Sequence, residues 1–80
     1  MIAVVLAAGR GTRMGALTAH TPKPLLPLQG RPILEHILLN FRAAGITEFV
    51  LVTGYLGEQI EAYFGHGDRI GVRITYRRQE

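Results

Sequence analysis

The 80-residue chain contains no cysteine and a single aspartate, Asp68. Without cysteine it has neither a disulfide framework nor a thiolate metal site, which is compatible with the cytoplasm, where we expect the protein. Its N-terminal apolar run, residues 2–8, follows no charged segment and stops at Gly9 and Arg10. Such a run is too short for a signal peptide or a membrane span, so we expect a soluble protein without a membrane partner.

Acidic residues are outnumbered by basic ones, and the net charge of +3 comes mostly from arginine. This excess favours anionic partners, namely nucleotides, sugar phosphates or nucleic acid, without choosing among them. Four arginines lie in the last dozen residues, at Arg69, Arg73, Arg77 and Arg78. No aromatic platform or recognition helix accompanies them, so we expect a solvated sheet edge and no nucleic-acid partner.

Three segments have strand patterns. Residues 2–6 and 49–52 are continuous apolar runs, typical of parallel strands covered on both faces. In residues 72–77 apolar and basic or polar side chains alternate, which predicts a half-exposed strand at a sheet edge. These strands alternate with two helical patterns.

The first helix is predicted to open at Pro32, with Glu35 in its first turn, and to end at Gly45. Its apolar face comprises Ile33 or Leu34, Ile37, Leu38, Phe41 and Ala44. The second carries Leu56, Ile60, Tyr63 and Phe64 at helical spacing and ends at Gly65. The order β-loop-α-β-α-β predicts an α/β fold with parallel strands in the spatial order 3-2-1.

Three strands and two helices leave one face or edge of such a sheet poorly covered, because a doubly wound sheet needs helices on both faces. We therefore expect residues 1–80 to be the N-terminal, nucleotide-binding part of a domain that continues beyond this chain.

Residues 7–29 form a long predicted loop, rich in glycine and proline, with one helical turn near residues 14–17. It leaves the carboxyl end of the first strand, where open parallel sheets bind ligands. Small residues after that strand let a base or triphosphate approach the backbone; they are Ala7, Ala8, Gly9 and Gly11. Arg13 can brace a pyrophosphate, and Lys23 lies between Pro22 and Pro24, which restrict its backbone.

Two common phosphate loops are excluded. A Walker A motif needs a Gly-Lys pair, which the sequence lacks. The dinucleotide fingerprint would begin at Gly9 and Gly11, but its third glycine position is Met14, and Thr53 stands where an acid is expected after the second strand.

The remaining pattern is Leu-Ala-Ala-Gly-Arg-Gly-Thr-Arg-Met at residues 6–14 followed by Thr-Pro-Lys-Pro-Leu-Leu-Pro at residues 21–27. It resembles the opening signature of the sugar-1-phosphate nucleotidyltransferases, and the similarity continues through residues 30–35 and 53–56 to Tyr76. The resemblance implies a Rossmann-like nucleotidyltransferase fold and transfer of a nucleotidyl group from a nucleoside triphosphate to a sugar 1-phosphate, with release of pyrophosphate.

By matched position, the resemblance implies a nucleotide-binding role for nine residues. Leu6, Ala8 and Gly9 would border the base and ribose, Gly11, Thr12 and Arg13 the triphosphate, Lys23 the reacting phosphates, and Gln79 the base. Ala7 belongs to the same nucleotide-binding set. Arg13 and Lys23 would be the catalytic cations.

The resemblance also implies Mg²⁺ held by aspartates downstream of this segment, so no metal ligand is assigned here and the isolated segment is expected to be inactive. Asp68 falls in a loop at the opposite end of the predicted sheet. A homo-oligomer is compatible with the family.

Several alternatives stay open. One is a cytidylyltransferase for an alcohol phosphate such as phosphocholine, and another is a non-catalytic nucleotide-binding module. For Arg10, the sequence favours a phosphate contact and simple solvent exposure equally. His20, His36 and His66 lack ligand spacing, which favours surface or structural roles over metal binding. Tyr55, Tyr63 and Phe64 are expected to be packing residues.

Overall fold

A computed structural model describes residues 1–7 and 20–79 of the chain. It contains three long strands, β1 (Ile2–Ala7), β4 (Glu48–Thr53) and β5 (Arg73–Arg78), two short strands, β2 (Pro27–Leu28) and β3 (Arg31–Pro32), and two helices, α1 (Ile33–Ala43) and α2 (Gly57–Phe64). Single 3₁₀ turns lie at Lys23–Leu25 and Asp68–Ile70.

The long strands form one parallel sheet in the order β1-β4-β5. This is the predicted 3-2-1 order read from the opposite edge, so the α/β prediction is confirmed. In register, Val5 lies beside Leu51 and Leu51 beside Tyr76. The carboxyl ends of all three strands therefore meet at one edge of the sheet, which we call the carboxyl edge.

Both helices cover the same face of the sheet. The buried core joins apolar side chains of that face to both helices: Ala7, Phe49, Leu51, Val72 and Ile74 from the strands and their approaches, and Leu34, Leu38, Ile60 and Phe64 from the helices. Successive right-handed crossovers in one direction across a sheet place their helices on one side, which explains this arrangement.

The other face is open among the described residues. Ile2, Val4 and Leu6 are 57%, 66% and 78% exposed, whereas Ala7 is buried. The described residues therefore cover β1 on one face only, so the prediction of two covered faces is wrong for this structure. Strand β4 is likewise buried at Phe49 and Leu51 but only half-buried at Val50 and Val52. Continuous apolar runs are typical of strands covered on both faces, but the helices in the described part of the chain cover only one face.

The ends of α1 combine one correct and one wrong prediction. Gly45 has φ +94°, and the N–H groups of Gly45 and Ile46 donate to the carbonyls of Arg42 and Phe41, which is a Schellman termination. Pro32 does not open the helix, because its ψ of 145° is extended and it pairs in β3.

The β2–β3 hairpin lies inside what the sequence predicted as loop and helix start. Pro27 pairs with Pro32 and Leu28 with Arg31, and the two connecting residues, Gln29 and Gly30, both have positive φ. Positive φ at both central positions is the geometry of a tight hairpin turn.

Strand β5 behaves as the sequence predicts. Ile74 is buried and Tyr76 half-buried, whereas Arg73, Thr75 and Arg77 are exposed. Strand β5 is the outermost strand of the sheet, on the side opposite β1.

Candidate functional site

The carboxyl edge brings the end of β1 level with the ends of the other strands. Ala7 is 4% exposed and lies beside Thr53, which is fully buried. The N–H of Gln79 donates to the Thr53 carbonyl at 2.6 Å, so the β4–β5 ladder extends one residue past β5. This bond fixes the backbone of Gln79 at the carboxyl edge, and Gln79 is exposed to solvent.

Lys23 begins the 3₁₀ turn at Lys23–Leu25. The N–H of Leu25 donates to the Pro22 carbonyl at 2.9 Å, and the N–H of Leu26 donates to the Lys23 carbonyl at 3.0 Å. Pro22 is fully buried, whereas Lys23 is exposed. The two prolines limit the backbone around Lys23, and the buried ring of Pro22 anchors the turn to the core.

A cavity of about 260 Å³ joins this turn to β1 and α1. Its lining consists of Val5, Leu6, Ala7, Lys23, Pro24, Ile33, Leu34 and Ile37. Among these described residues Lys23 carries the only charge. The structure thus brings together three residues predicted from the sequence to bind a nucleotide, namely Leu6, Ala7 and Lys23.

The other predicted site residues are not in this group. Ala8, Gly9, Gly11, Thr12 and Arg13 lie outside the described residues, as do Arg10 and the helical turn predicted near residues 14–17. Gln79 lies at the same edge of the sheet but follows β5, two strands from β1, and does not line the cavity.

Two larger cavities, each of about 730 Å³, lie away from the carboxyl edge. The first is lined near the starts of β4 and β5, with Glu48, His66 and Asp68 in its wall. Asp68 therefore lies at the opposite end of the sheet, as predicted. In residues 1–7 and 20–79 no group of three His, Cys, Asp or Glu side chains is arranged to hold a metal ion.

Among the described histidines, His36 makes a structural contact. Its Nε2 lies 2.6 Å from the Leu28 carbonyl oxygen, and because a carbonyl only accepts, Nε2 must donate. This bond ties α1 to the β2–β3 hairpin. A similar bond reaches the other side of Lys23, where Gln59 Nε2 on α2 donates to the His20 carbonyl at 2.8 Å.

Two of the four C-terminal arginines, Arg69 and Arg78, make side-chain contacts within the chain. Arg78 pairs with Glu61 at 3.3 Å, and Arg69 lies 4.0 Å from Glu35 with its guanidinium over the Tyr63 ring, 4.4 Å from the ring centre. Tyr63 also packs edge-to-face on Phe64, as a packing residue should.

Tyr76 connects β5 to the end of α2. Its Oη donates to the Gly65 carbonyl at 2.7 Å. Burial, with a smaller contribution from the negative charge of Glu61, raises the pKa of Tyr76 to about 12. The phenol therefore remains a neutral donor below that pH.

The partners of Glu35, His36 and Gln59 were not predicted from the sequence, although a structural role was expected for His36. Each makes a contact with a residue from another element, so the local pattern around it carries no signal of its partner. No helix in the described part of the chain is both long and apolar enough to cross a membrane.

The parallel sheet, with a cavity and a lysine at the carboxyl ends of its strands, places the chain in the class of open α/β proteins, which bind their ligands at that edge. Within that class, the chain belongs to the MobA-like NTP transferase domain family, whose profile matches residues 3–80.

Three known proteins illustrate the similarity. The mannose-1-phosphate guanylyltransferase of Mycobacterium tuberculosis is 46% identical over 78 residues, covering 98% of this chain. A protein assigned as a glucose-1-phosphate thymidylyltransferase from Bacillus anthracis superposes with a TM-score of 0.89 at 31% identity over the whole chain. The CTP:phosphocholine cytidylyltransferase of Streptococcus pneumoniae superposes with a TM-score of 0.77 at 34% identity over 95% of the chain.

The chain spans only part of these relatives. It covers 22% of the guanylyltransferase, 33% of the thymidylyltransferase chain and 32% of the cytidylyltransferase chain.

Proposed function

We propose that this chain is the nucleotide-binding part of a nucleotidyltransferase that transfers a nucleotidyl group from a nucleoside triphosphate to a sugar 1-phosphate. The observation that carries the proposal is the shared cavity of Leu6, Ala7 and Lys23 at the end of β1. The family membership over residues 3–80 and the similarity to guanylyl- and thymidylyltransferases support it.

In the proposed reaction, a phosphate oxygen of the sugar 1-phosphate attacks the α-phosphorus of the triphosphate. A new P–O–P bond forms as the bond between the α-phosphorus and its bridging oxygen breaks, and the electron pair leaves with pyrophosphate. The transition state spreads negative charge over the phosphate oxygens, so positioning and charge neutralisation supply most of the catalysis.

Lys23 supplies a compact positive charge for this step. Its ammonium is carried on a turn whose backbone is closed by hydrogen bonds and anchored by the buried Pro22. We propose that it contacts the reacting phosphates, while Leu6 and Ala7 border the base and ribose. Ala8, Gly9, Gly11, Thr12, Arg13 and Gln79 complete the proposed nucleotide site, with Arg13 as the second catalytic cation.

Transferases of this family generally depend on a divalent metal, and we propose Mg²⁺. The described residues do not fit its site, because they offer no three-ligand group and Asp68 lies at the far end of the sheet from Lys23. The ligands would therefore come from outside the described residues. We propose accordingly that residues 1–80 are part of a longer domain.

The second candidate is transfer of a cytidylyl group to an alcohol phosphate, favoured by the structural similarity to the phosphocholine cytidylyltransferase. It would use the same nucleotide site and differ in the acceptor.

A matrix experiment tests both proposals. Pyrophosphate release by the complete protein is measured with each of ATP, CTP, GTP, UTP and dTTP against sugar 1-phosphates and phosphocholine. Release only with a sugar 1-phosphate supports the first proposal, and release only with phosphocholine supports the second. Nucleotide binding without release from any pair would contradict both and favour a non-catalytic module.

A further inference from the structure

Two side chains outside the opening motif hold the backbone on either side of Lys23. Gln59 of α2 donates to the His20 carbonyl at 2.8 Å, three residues before Lys23. His36 of α1 donates to the Leu28 carbonyl at 2.6 Å, five residues after it. We call residues 20–28 the strap; it is thus fixed near both ends to the two helices that cover the sheet.

The strap is also closed internally. Its 3₁₀ turn is held by the Leu25 and Leu26 amides, and the Leu26 carbonyl accepts a 3.0 Å bond from the N–H of Ile33 at the start of α1. No described residue forms an ion pair or hydrogen bond with the Lys23 ammonium. The backbone that carries this flexible side chain therefore sets the region that its ammonium can reach.

We infer that Gln59 and His36 are positioning residues that set where the Lys23 ammonium meets the reacting phosphates. This inference rests on the proposed function. Each side chain acts on a carbonyl of the strap, and neither is among the residues that line the cavity. A displacement of about 1 Å in a catalytic group can cost about a hundredfold in rate, so loss of one such bond has a measurable effect.

The test uses the complete protein with Gln59→Met, which keeps the side-chain length and removes the N–H donor, and His36→Phe, which keeps a ring. Glu58→Gln is the matched control, because Glu58 is an exposed neighbour of Gln59 with no ion pair among the described residues. We expect kcat to fall between about fivefold and a hundredfold for the first two variants, with KM for the acceptor within about threefold of wild type. The control should match wild type.

Two further variants separate positioning from a general loss of structure. Gln59→Lys restores an N–H donor of similar reach and should recover most of the lost kcat. In a Lys23→Ala background, Gln59→Met should cause no further loss, because the group it positions is gone. Full rates in Gln59→Met and His36→Phe, or an undiminished effect of Gln59→Met when Lys23 is alanine, would overturn the inference.

Amide hydrogen exchange gives a readout independent of turnover. In Gln59→Met the Leu25 and Leu26 amides should exchange faster, while the amides of β4 keep wild-type rates. If wild type releases no pyrophosphate, the proposed function fails and the catalytic part of the inference fails with it, yet exchange still decides whether Gln59 fixes the strap. If the wild type turns over and the variants keep both its kcat and its amide exchange rates, the inference is overturned and the proposed function stands.

Discussion

Glu35 is 6% exposed, and the chain surrounds its carboxylate with three partners. Tyr63 Oη donates to Oε1 at 3.1 Å, and the guanidinium groups of Arg31 and Arg69 lie 3.5 and 4.0 Å from the carboxylate oxygens. The sequence shows Glu35 only as an acid in the first turn of α1. Its partners on α2 and in the turn after it are far along the chain, so helix periodicity could not reveal this cluster.

Replacing Glu35 by alanine should lower the free energy of unfolding by about 1–3 kcal/mol, because Tyr63 loses its acceptor and two guanidiniums lose their carboxylate. Both arginines are more than half exposed, so water offsets part of the loss. Urea unfolding measures the change. Glu58→Ala is the control, and an equal effect in the two variants would contradict a special role for Glu35.

The raised pKa of Tyr76 predicts a pH dependence of stability. Burial, aided by Glu61, favours the neutral phenol in the folded state and lifts the pKa from 10.0 to about 12. The stabilising contribution is complete below pH 10, the unfolded value, and is lost as the pH rises towards 12. Urea unfolding at pH 9, 10, 11 and 12 should show a steeper loss in wild type than in Tyr76→Phe. An equal loss of unfolding free energy with pH in wild type and Tyr76→Phe would contradict this prediction.

The part of the proposed nucleotide site that the sequence and the structure both bring together is local in the chain. Leu6, Ala7 and Lys23 belong to one two-part motif, and the fold places all three on one cavity. Gln59 and His36 could not be predicted, because each acts on a carbonyl of another element and any residue type can supply that carbonyl.

At the scale of elements, the long strands and the helices were predictable and the β2–β3 hairpin was not. Strands of two residues are too short to show alternation, and two of the four paired residues, Pro27 and Pro32, are a type that is normally depleted in strands. The Gln29-Gly30 turn was the one available signal, because its second residue suits positive φ.

The turn after α2 depends on close backbone approach. Gly67 has φ +92°, and a Cβ there would lie 2.7 Å from the Val72 carbonyl oxygen, whereas Gly30 has φ +82° with nothing within 4 Å. Gly30→Ala should cost about 1–2 kcal/mol of unfolding free energy from backbone strain alone. Gly67→Ala should cost about 1–3 kcal/mol more, because overlap adds to strain. Urea unfolding of the two variants compares them, and equal losses would show that the close approach is unimportant.

At the scale of the whole molecule, the open face of the sheet is the main departure from the sequence prediction. The apolar runs of β1 and β4 have the composition of strands with two covered faces, and the described helices cover one. The apolar pattern of a strand indicates how many of its faces are suited to burial. It does not indicate which elements cover those faces, because they are formed by other parts of the chain.

This face provides a test of the proposal that the domain is longer than residues 1–80. Val4 is 66% exposed on the open face, whereas Val5, half-buried, packs against the core. Val5→Thr should destabilise both the 80-residue chain and the complete protein, by about 1–3 kcal/mol for a poorly satisfied hydroxyl. Val4→Thr should be nearly neutral in the 80-residue chain and destabilising in the complete protein. Neutral behaviour of Val4→Thr in both would contradict coverage of this face.

The central claim, that Lys23 serves nucleotidyl transfer at the end of β1, is tested most directly by the kcat for pyrophosphate release from the complete protein carrying Lys23→Met. Arg73→Gln is the control, since it removes one positive charge from an exposed position at the start of β5, the opposite end of the sheet. We predict that kcat falls by about a hundredfold to a thousandfold in Lys23→Met and stays within about twofold of wild type in Arg73→Gln. A Lys23→Met enzyme that retains the wild-type kcat would contradict the account.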